Sequence, residues 1–582
     1  MPSDQHAGRP YTVNGASIEE KNEIERIAMD RGLVPYHLAG PLATIKLSPL
    51  VQWDPVITLH TPDEFKQVIQ ACQLPAAGGN GMYYTHSKIV PKFGADNYVH
   101  TRVDIFANDD DGRFYALKTF KQMIGYGGAS ILTGSILDWP ATPIRGVLEG
   151  YYGTPYTPKD RLALIPLMAD IKMNTYIYAP KGDPWITALW SKPFPKESVD
   201  LLRDLAKTGK ENRVRICVEL HPGNGVIYSS AEDMDALVAK FDVVAGLGID
   251  CFTLAFDDSD KKLQDADKAF YQTFMEGQTD FGNRAMAALA AKYPDAMYGF
   301  VPNDYWTEAE GSATDLAYLG KNLDKRWAIA WTGNEVISKT VTVADTDYIT
   351  SLLDRPPFFG DNYPVSDMPN LSGILNLGPL TGREAGVVAK TSGVVFNGMP
   401  YPYSSMIGYM SGADWGWNPD GFVPEKSSYN AAWLTLGRYA RAETTEALQG
   451  LFNTNRDAFI EGSAAPDLQK AIEDFWTAFA GPSIDDAFDN LDLTLLGYTT
   501  IAKTLEENVP EYGFPIGPEI EPWITKLGQY GTTGRLALNL LGKLHYGVEK
   551  PSAEDIDKLE AQINELNTTT PKPTGKLMDD FL

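Results

Sequence analysis

Between Ile144 and about Asn397 the chain repeats one theme eight times, and no other feature limits the fold so tightly. A short apolar, β-prone run ends in a polar or Gly/Pro-rich turn, and a helix-length stretch usually follows. The runs are GVLEGYYGTP from Gly146, NTYIYAP from Asn174, VRICVELHPG from Val214 and DCFTLAFDDSD from Asp250. They continue as MYGFVPNDYW from Met297, WAIAWTGNE from Trp327, PPFFGDNYPVSD from Pro356 and SGVVFNGMP from Ser392. Eight such units, about 30–45 residues apart, predict an α/β chain built on a (β/α)8 barrel of roughly 250 residues. A doubly wound open sheet is the rival, but the first run lacks the glycine-rich phosphate turn of that fold.

The flanks read differently. Before the barrel, NYVHTRVDI from Asn97 alternates apolar and polar residues like a half-buried strand. DDDGRFYALKTFKQMI then predicts an amphipathic helix with Phe114, Leu117, Phe120 and Ile124 on one side. After about Asn430 the apolar spacing turns helical, as in DLQKAIEDFWTAFAG and TGRLALNLLGKL. The predicted organisation is an α+β domain over residues 1–143, the barrel over 144–429 and a helical domain over 430–582. The last segment, NTTTPKPTGK, is expected to be flexible or extended over the surface.

Composition narrows the partners. With 76 acidic against 50 basic residues and a net charge of −26, the surface repels nucleic acid and anionic lipid. No apolar stretch reaches the ~20 residues needed to span a bilayer, and MPSDQHAGRP has no apolar signal core. A soluble protein of open compartment and oligomeric state is expected. Cys72, Cys217 and Cys251 are odd in number and far apart, so no disulfide framework is expected. Cys217 and Cys251 sit inside apolar runs and read as buried small hydrophobes. No CxxC suggests a zinc site.

In such a barrel the site lies in the loops after the strands. Those loops deliver Glu149 and Tyr152, Lys181 and Asp183, Glu219 and His221, and then Asp257, Asp258 and Asp260. Asn303, Asp304 and Tyr305, Asn334 and Glu335, Asp361, Asn362 and Asp367, and finally Asn397 complete the ring. Tyr151, Tyr178, Trp185, Trp306, Trp331 and Tyr363 crowd the same rim. Carboxylates, amides and aromatic faces together suit a sugar. Two adjacent carboxyls, Asp257 and Asp258, are expected to push one pKa upward, which suits general acid catalysis on a glycosidic oxygen. Two plainer readings stand beside this one: a solvated turn that caps a helix over KKLQDADKAFYQTF, and a divalent-metal site.

RGVLEGYYGTPY, KMNTYIYAPKGDPW, FDD, WTGNEVIS, DNYPVSD and NPDGFVPEK together give a chain that resembles glycoside hydrolase family 84, the β-N-acetylglucosaminidases. DGRFYALKTFKQM is similar to the small α+β domain that precedes the barrel there. The resemblance implies a retaining exo-enzyme that uses the substrate's acetamide through an oxazoline, without metal or organic cofactor. It implies that Asp257 orients the acetamide and that Asp258 is the acid and then the base. Gly150 and Lys181 match contacts to sugar hydroxyls, and Tyr305 a residue lining the acetamide pocket. Asn362 matches a contact to the acetamide, Asp367 to the 4- and 6-hydroxyls, and Asn397 to the 3- and 4-hydroxyls. The partner so implied is a β-GlcNAc-bearing glycoconjugate. Endo-cleavage of hyaluronan or another amino-sugar polymer, and silent GlcNAc binding, are the alternatives. Two departures stand out. Gly360 replaces a tryptophan, and Glu219-Leu-His221-Pro-Gly replaces a small residue followed by Ser-Pro-Gly. Trp415 and Trp417 are expected to form a stacking surface for sugar or to pin their loop to the helical domain.

Overall fold

The computed structural model describes residues 12–14, 17, 20, 23, 24, 56–72, 74, 79–91, 99–124, 133–368, 373–436, 441–509, 516–547 and 550–582. The extreme N-terminus lies outside the described residues.

Five strands form the first sheet: β1 Thr12–Asn14, β2 Val56–Leu59, β3 Tyr83–Pro91, β4 Val99–Ala107 and β5 Gly134–Asp138. Their order is β1-β2-β4-β3-β5, with β3 antiparallel to both neighbours. The alternating strand predicted from Asn97 is β4. The helix Asp110–Met123 follows, capped by Asp109, whose carboxylate accepts the Gly112 N–H at 2.7 Å. Gly112 has to be glycine, because a Cβ there would lie 2.5 Å from the Met82 carbonyl. Leu117 and Phe120 pack into the sheet with Tyr83, Val103 and Ile105, whereas Phe114 stays half-buried at the edge.

The eight runs form the eight strands of a closed parallel barrel: β6 Arg145–Glu149, β7 Thr175–Tyr178, β8 Arg215–Leu220, β9 Cys251–Ala255, β10 Met297–Val301, β11 Ala328–Trp331, β12 Phe358–Asp361 and β13 Gly393–Asn397. Thr157, Ser230, Thr273 and Thr342 cap the helices that cross back, two of them with full capping boxes. The helix expected directly after the aspartate pair does not form. That stretch is loop with one 3-10 turn, Asp267–Ala269, and the helix starts at Phe274. Asp267 is buried and accepts the N–H groups of Tyr228 and Ser229 and the Ser229 hydroxyl, so its side chain competes with helix formation.

Three other expectations need correction. Cys217 and Cys251 are buried but bonded to each other, with Cα atoms 4.5 Å apart across the paired strands β8 and β9. Trp417 binds the barrel to the first sheet rather than to the C-terminal helices: its Nε1 donates to Asp138 at 2.8 Å, and its ring lies over Arg145 and Lys172. Trp415 is fully buried beside Phe359 and Phe396. The terminal segment is fixed: the Lys572 N–H donates to the Gly373 carbonyl, the Thr574 N–H donates to the Thr454 carbonyl, and Met578 is buried.

Helices fill the chain from Pro424 onward, and the one at Pro424–Leu436 spans residue 430. Among the described residues no helix is long and apolar enough to cross a membrane.

Candidate active site

Inward-pointing residues alternate along each barrel strand, so every strand hands its last inward position to the cleft. Gly150, Lys181, Asp257, Asp258, Tyr305, Asn362, Asp367 and Asn397 all border one cavity of about 340 Å³ at this end. Glu149 and Asp361, also read as rim groups, are one position out of phase and face the surrounding helices. Glu149 is paired with Arg161 at 2.7 and 2.8 Å and accepts the Tyr176 hydroxyl. Asp361 is paired with Arg383 at 2.7 and 2.8 Å. Tyr151, Tyr178, Trp331 and Tyr363 are likewise buried away from the cleft. Trp306 borders a second hollow beside Asp258.

The two aspartates are adjacent in sequence and differ in surroundings. The loop carrying them is tied down by Ser259, whose hydroxyl donates to the Phe256 carbonyl, and by Asn303, whose amide donates to the Ser259 carbonyl. At Asp258 the backbone turns left-handed, with φ 56°, a region that aspartate tolerates better than most residues. Asp257 is buried and accepts from Lys181 Nζ at 2.8 Å. Asp258 accepts instead from two phenols, Tyr152 at 2.8 Å and Tyr305 at 3.2 Å. Burial pushes both tyrosines up, and the Asp258 charge pushes them further, so they stay protonated donors.

Lys181 is shared. Besides Asp257 it reaches Glu219 at 3.3 Å and His221 Nδ1 at 3.4 Å. His221 Nε2 lies 2.6 Å from the Asp257 carbonyl, which can only accept, so this nitrogen carries a hydrogen. Burial would raise Asp257, but Lys181 and His221 together outweigh it and hold the carboxyl below its usual range. The carboxyl driven upward in this cluster is that of Glu219: burial dominates, and the Asp257 charge adds to it. Lys181, buried between two carboxylates, is raised despite its desolvation. Three metal-type ligands, Asp257, Glu219 and His221, thus converge on the Lys181 ammonium.

One atom is left over. Asp257 Oδ1 is buried and has no hydrogen-bond partner among the described residues. A buried carboxylate oxygen can only accept; apart from His221 Nε2, which approaches it to 3.5 Å, it is open to a donor entering the cleft.

On the opposite wall the Gly150 N–H donates to Asn397 Oδ1 at 3.0 Å, Asn397 Nδ2 to Asn362 Oδ1 at 3.0 Å, and Asn362 Nδ2 to the Val336 carbonyl at 2.8 Å. This relay fixes which way both amides point. Asp367 accepts the Tyr152 N–H at 2.7 Å, and burial raises its carboxyl. Tyr152, which links Asp258 and Asp367, stands among the rim residues read from the sequence but without a role there. Its place two residues after Gly150 was the available signal.

The fold and this cleft define a (β/α)8-barrel protein with an acidic, sugar-sized pocket in the loops after its strands. The β-N-acetylglucosaminidase family profile matches residues 145–453. The protein O-GlcNAcases of Rattus norvegicus and Mus musculus are 29% and 28% identical over 256 residues, 43% of this chain in each case. The matched stretch spans only 27% of the length of either relative. In three dimensions the chain is similar to CpGH84B, with a TM-score of 0.78 at 22% identity over 98% of this chain and 95% of that one. CpGH84D gives 0.73 at 19% identity over 99% of this chain and 95% of that one. A Thermobaculum terrenum O-GlcNAc hydrolase mutant gives 0.68 at 22% identity over 76% of this chain and 94% of that one. This chain belongs to the β-N-acetylglucosaminidase family, glycoside hydrolase family 84.

Proposed function

We propose that this protein is a retaining exo-β-N-acetylglucosaminidase that removes terminal β-linked GlcNAc from glycoconjugates, as the names of its relatives suggest. The observation that carries the reading is the unpartnered Asp257 Oδ1, a buried acceptor in a pocket whose mouth holds a second carboxyl. An acetamide N–H satisfies it. With its N–H held, the acetamide oxygen is aimed at the anomeric carbon. That oxygen attacks, the glycosidic C–O bond breaks, and Asp258, entering the step in its protonated form, gives its proton to the leaving oxygen. The product of this step is an oxazoline. Asp258, now a base, takes a proton from the water that attacks the same carbon, and two inversions restore the β configuration. Tyr305 and Asn362 hold the acetamide, while Gly150, Lys181, Asp367 and Asn397 address the hydroxyls. The organisation that goes with this reading is a catalytic barrel over 144–429, between units at 1–143 and 430–582.

The test is a comparison of leaving groups. Asp258→Asn is expected to slow a GlcNAc-serine peptide by about 10²–10⁴-fold and an activated aryl glycoside far less, since only the former needs the proton. Asp257→Asn is expected to slow both alike. Equal losses from Asp258→Asn would remove it from the acid role. NMR of the first product is expected to give the β anomer.

A further inference from the structure

Barrels of this fold normally fill their interior with layers of bulky branched side chains. Here β10, β11 and β12 point Gly299, Ala328, Ala330 and Gly360 into the barrel instead. The cleft therefore does not end beneath the sugar site. The same cavity that holds Asp257, Tyr305 and Asn362 continues down to Met297, Ala328 and Phe358. Ala328 is four residues before Thr332 at the rim, about 13 Å along the strand and, with the ~36° tilt of barrel strands, about 10 Å below the rim.

Two of these glycines differ in cause. A Cβ on Gly299 would press on Thr253 Oγ1 at 2.8 Å, so close packing demands glycine there. A Cβ on Gly360 would meet only Val395 Cγ2, at 3.9 Å, an ordinary contact. No neighbour requires Gly360 to be small. Its smallness leaves open space directly below Asn362.

The lining decides what the space takes. Leu148, Ile177, Phe358 and Val395 surround the lower part; above them Thr253 and its register partner Glu219 are the polar side chains on the strand walls. A second sugar would bury hydroxyls without partners, and water would find few. An alkyl chain suits such walls, and the group that enters from above with an alkyl end is the substrate's N-acyl group.

We infer that this hollow is an acyl-chain pocket, and that the protein acts on β-glucosaminides whose nitrogen carries a linear acyl group of about four to six carbons. The inference rests on the reading that Asp257 receives a 2-acylamino N–H. The chemistry is unaltered: the acyl oxygen attacks the anomeric carbon, the glycosidic bond breaks, the Asp258 proton goes to the leaving oxygen, and the chain remains a spectator on the oxazoline ring.

The experiment is a chain-length series of p-nitrophenyl β-glucosaminides with N-acetyl, N-butanoyl and N-hexanoyl groups, assayed for kcat/KM. Each buried methylene is expected to gain up to about fourfold, so the longer substrates equal or exceed N-acetyl. A fall of more than 100-fold at N-butanoyl, with N-acetyl still cleaved, overturns the inference and leaves the glycosidase reading intact. Cleavage of none defeats that reading as well. Calorimetry with free N-hexanoylglucosamine against N-acetylglucosamine tests the pocket without turnover: tighter binding of the former is expected, and weaker binding overturns the inference. Ala328→Leu, which fills the floor, is expected to lower the hexanoyl-to-acetyl ratio of kcat/KM at least tenfold. Ala330→Val serves if the first variant does not fold. An unchanged ratio in a folded variant places the chain elsewhere and overturns the inference.

Discussion

Asp257 must stay ionised to accept an N–H, and burial works against that. Lys181 supplies the opposing field, while Glu219 competes for the same ammonium and takes the upward shift itself. The two carboxyls share one ammonium, so their protons are taken up in two steps that belong to the pair, with Glu219 the one favoured to be protonated. The sign for Lys181→Met follows. Without the cation, burial and the Glu219 charge both favour protonated Asp257, so the acid limb of kcat/KM is expected to rise by about a unit or more. Adding Glu219→Gln removes one of those two terms and should bring the limb part of the way back down. A pH profile on an activated aryl glycoside, from about pH 3 to 8, measures both; an unmoved limb in Lys181→Met would mean that another group keeps Asp257 charged. Most cleft residues were legible from sequence because each stands at or just after the end of an apolar run. Glu149 and Asp361 misled because a rim position and an outward-facing position differ by one residue. Glu219 and His221 were visible but without a role, since only the closed barrel places both beside Lys181.

The strands were legible for a related reason. Parallel barrel strands are buried on both faces and so read as continuous apolar runs, which turns then separate. Pairing between strands was not legible. Cys217 and Cys251 look like two unrelated small hydrophobes until the β8–β9 register aligns Val218 with Phe252, and so brings the two cysteines side by side. The bond closes a loop with a sequence separation of 34 residues. A loop of that size lowers the entropy of the unfolded chain by an amount worth about 3–4 kcal/mol. Replacing both cysteines by alanine is expected to lower the thermal midpoint by roughly 3–7 °C, and a reductant present throughout the melt should do the same to the wild type but nothing to the variant. Scanning calorimetry with and without reductant checks this. If reductant shifted both proteins equally, the bond would not be the element that holds β8 to β9. The missing helix after Asp258 has a third cause: one buried side chain, Asp267, outvotes local propensity over the whole segment.

At the scale of the molecule, the C-terminal helices hold the segment that follows Asn362 and carries Asp367. Leu377 and Gly378 donate to the Asn455 carbonyl and Gly373 accepts from Lys572, while Tyr363 donates to Gly378 within the segment itself. Glu519 caps the helix Pro402–Trp417 by accepting the Tyr403 and Ser404 N–H groups at 3.2 and 2.7 Å. Asp457 sits in this seam, where it accepts the Phe459 and Ile460 N–H groups. Burial raises its carboxyl from 3.8 to about 6, against the pull of those N–H groups and of Arg383, which is already committed to Asp361. Between about pH 4 and 6 the folded protein therefore keeps a proton that the unfolded chain has released. Stability contributed by this group is full below the unfolded value and is lost as pH rises through the folded one. Asp457→Asn keeps an acceptor for the helix cap and cannot ionise. Below pH 4 the variant and wild type are expected to match; above pH 6 the variant should be more stable by up to about 3 kcal/mol. The difference between their melting curves from pH 4 to 8 isolates this carboxyl from every other titrating group. A variant that is less stable than wild type above pH 6 would mean that Arg383 pairs productively with both Asp361 and Asp457, and that the seam is held by charge rather than in spite of it.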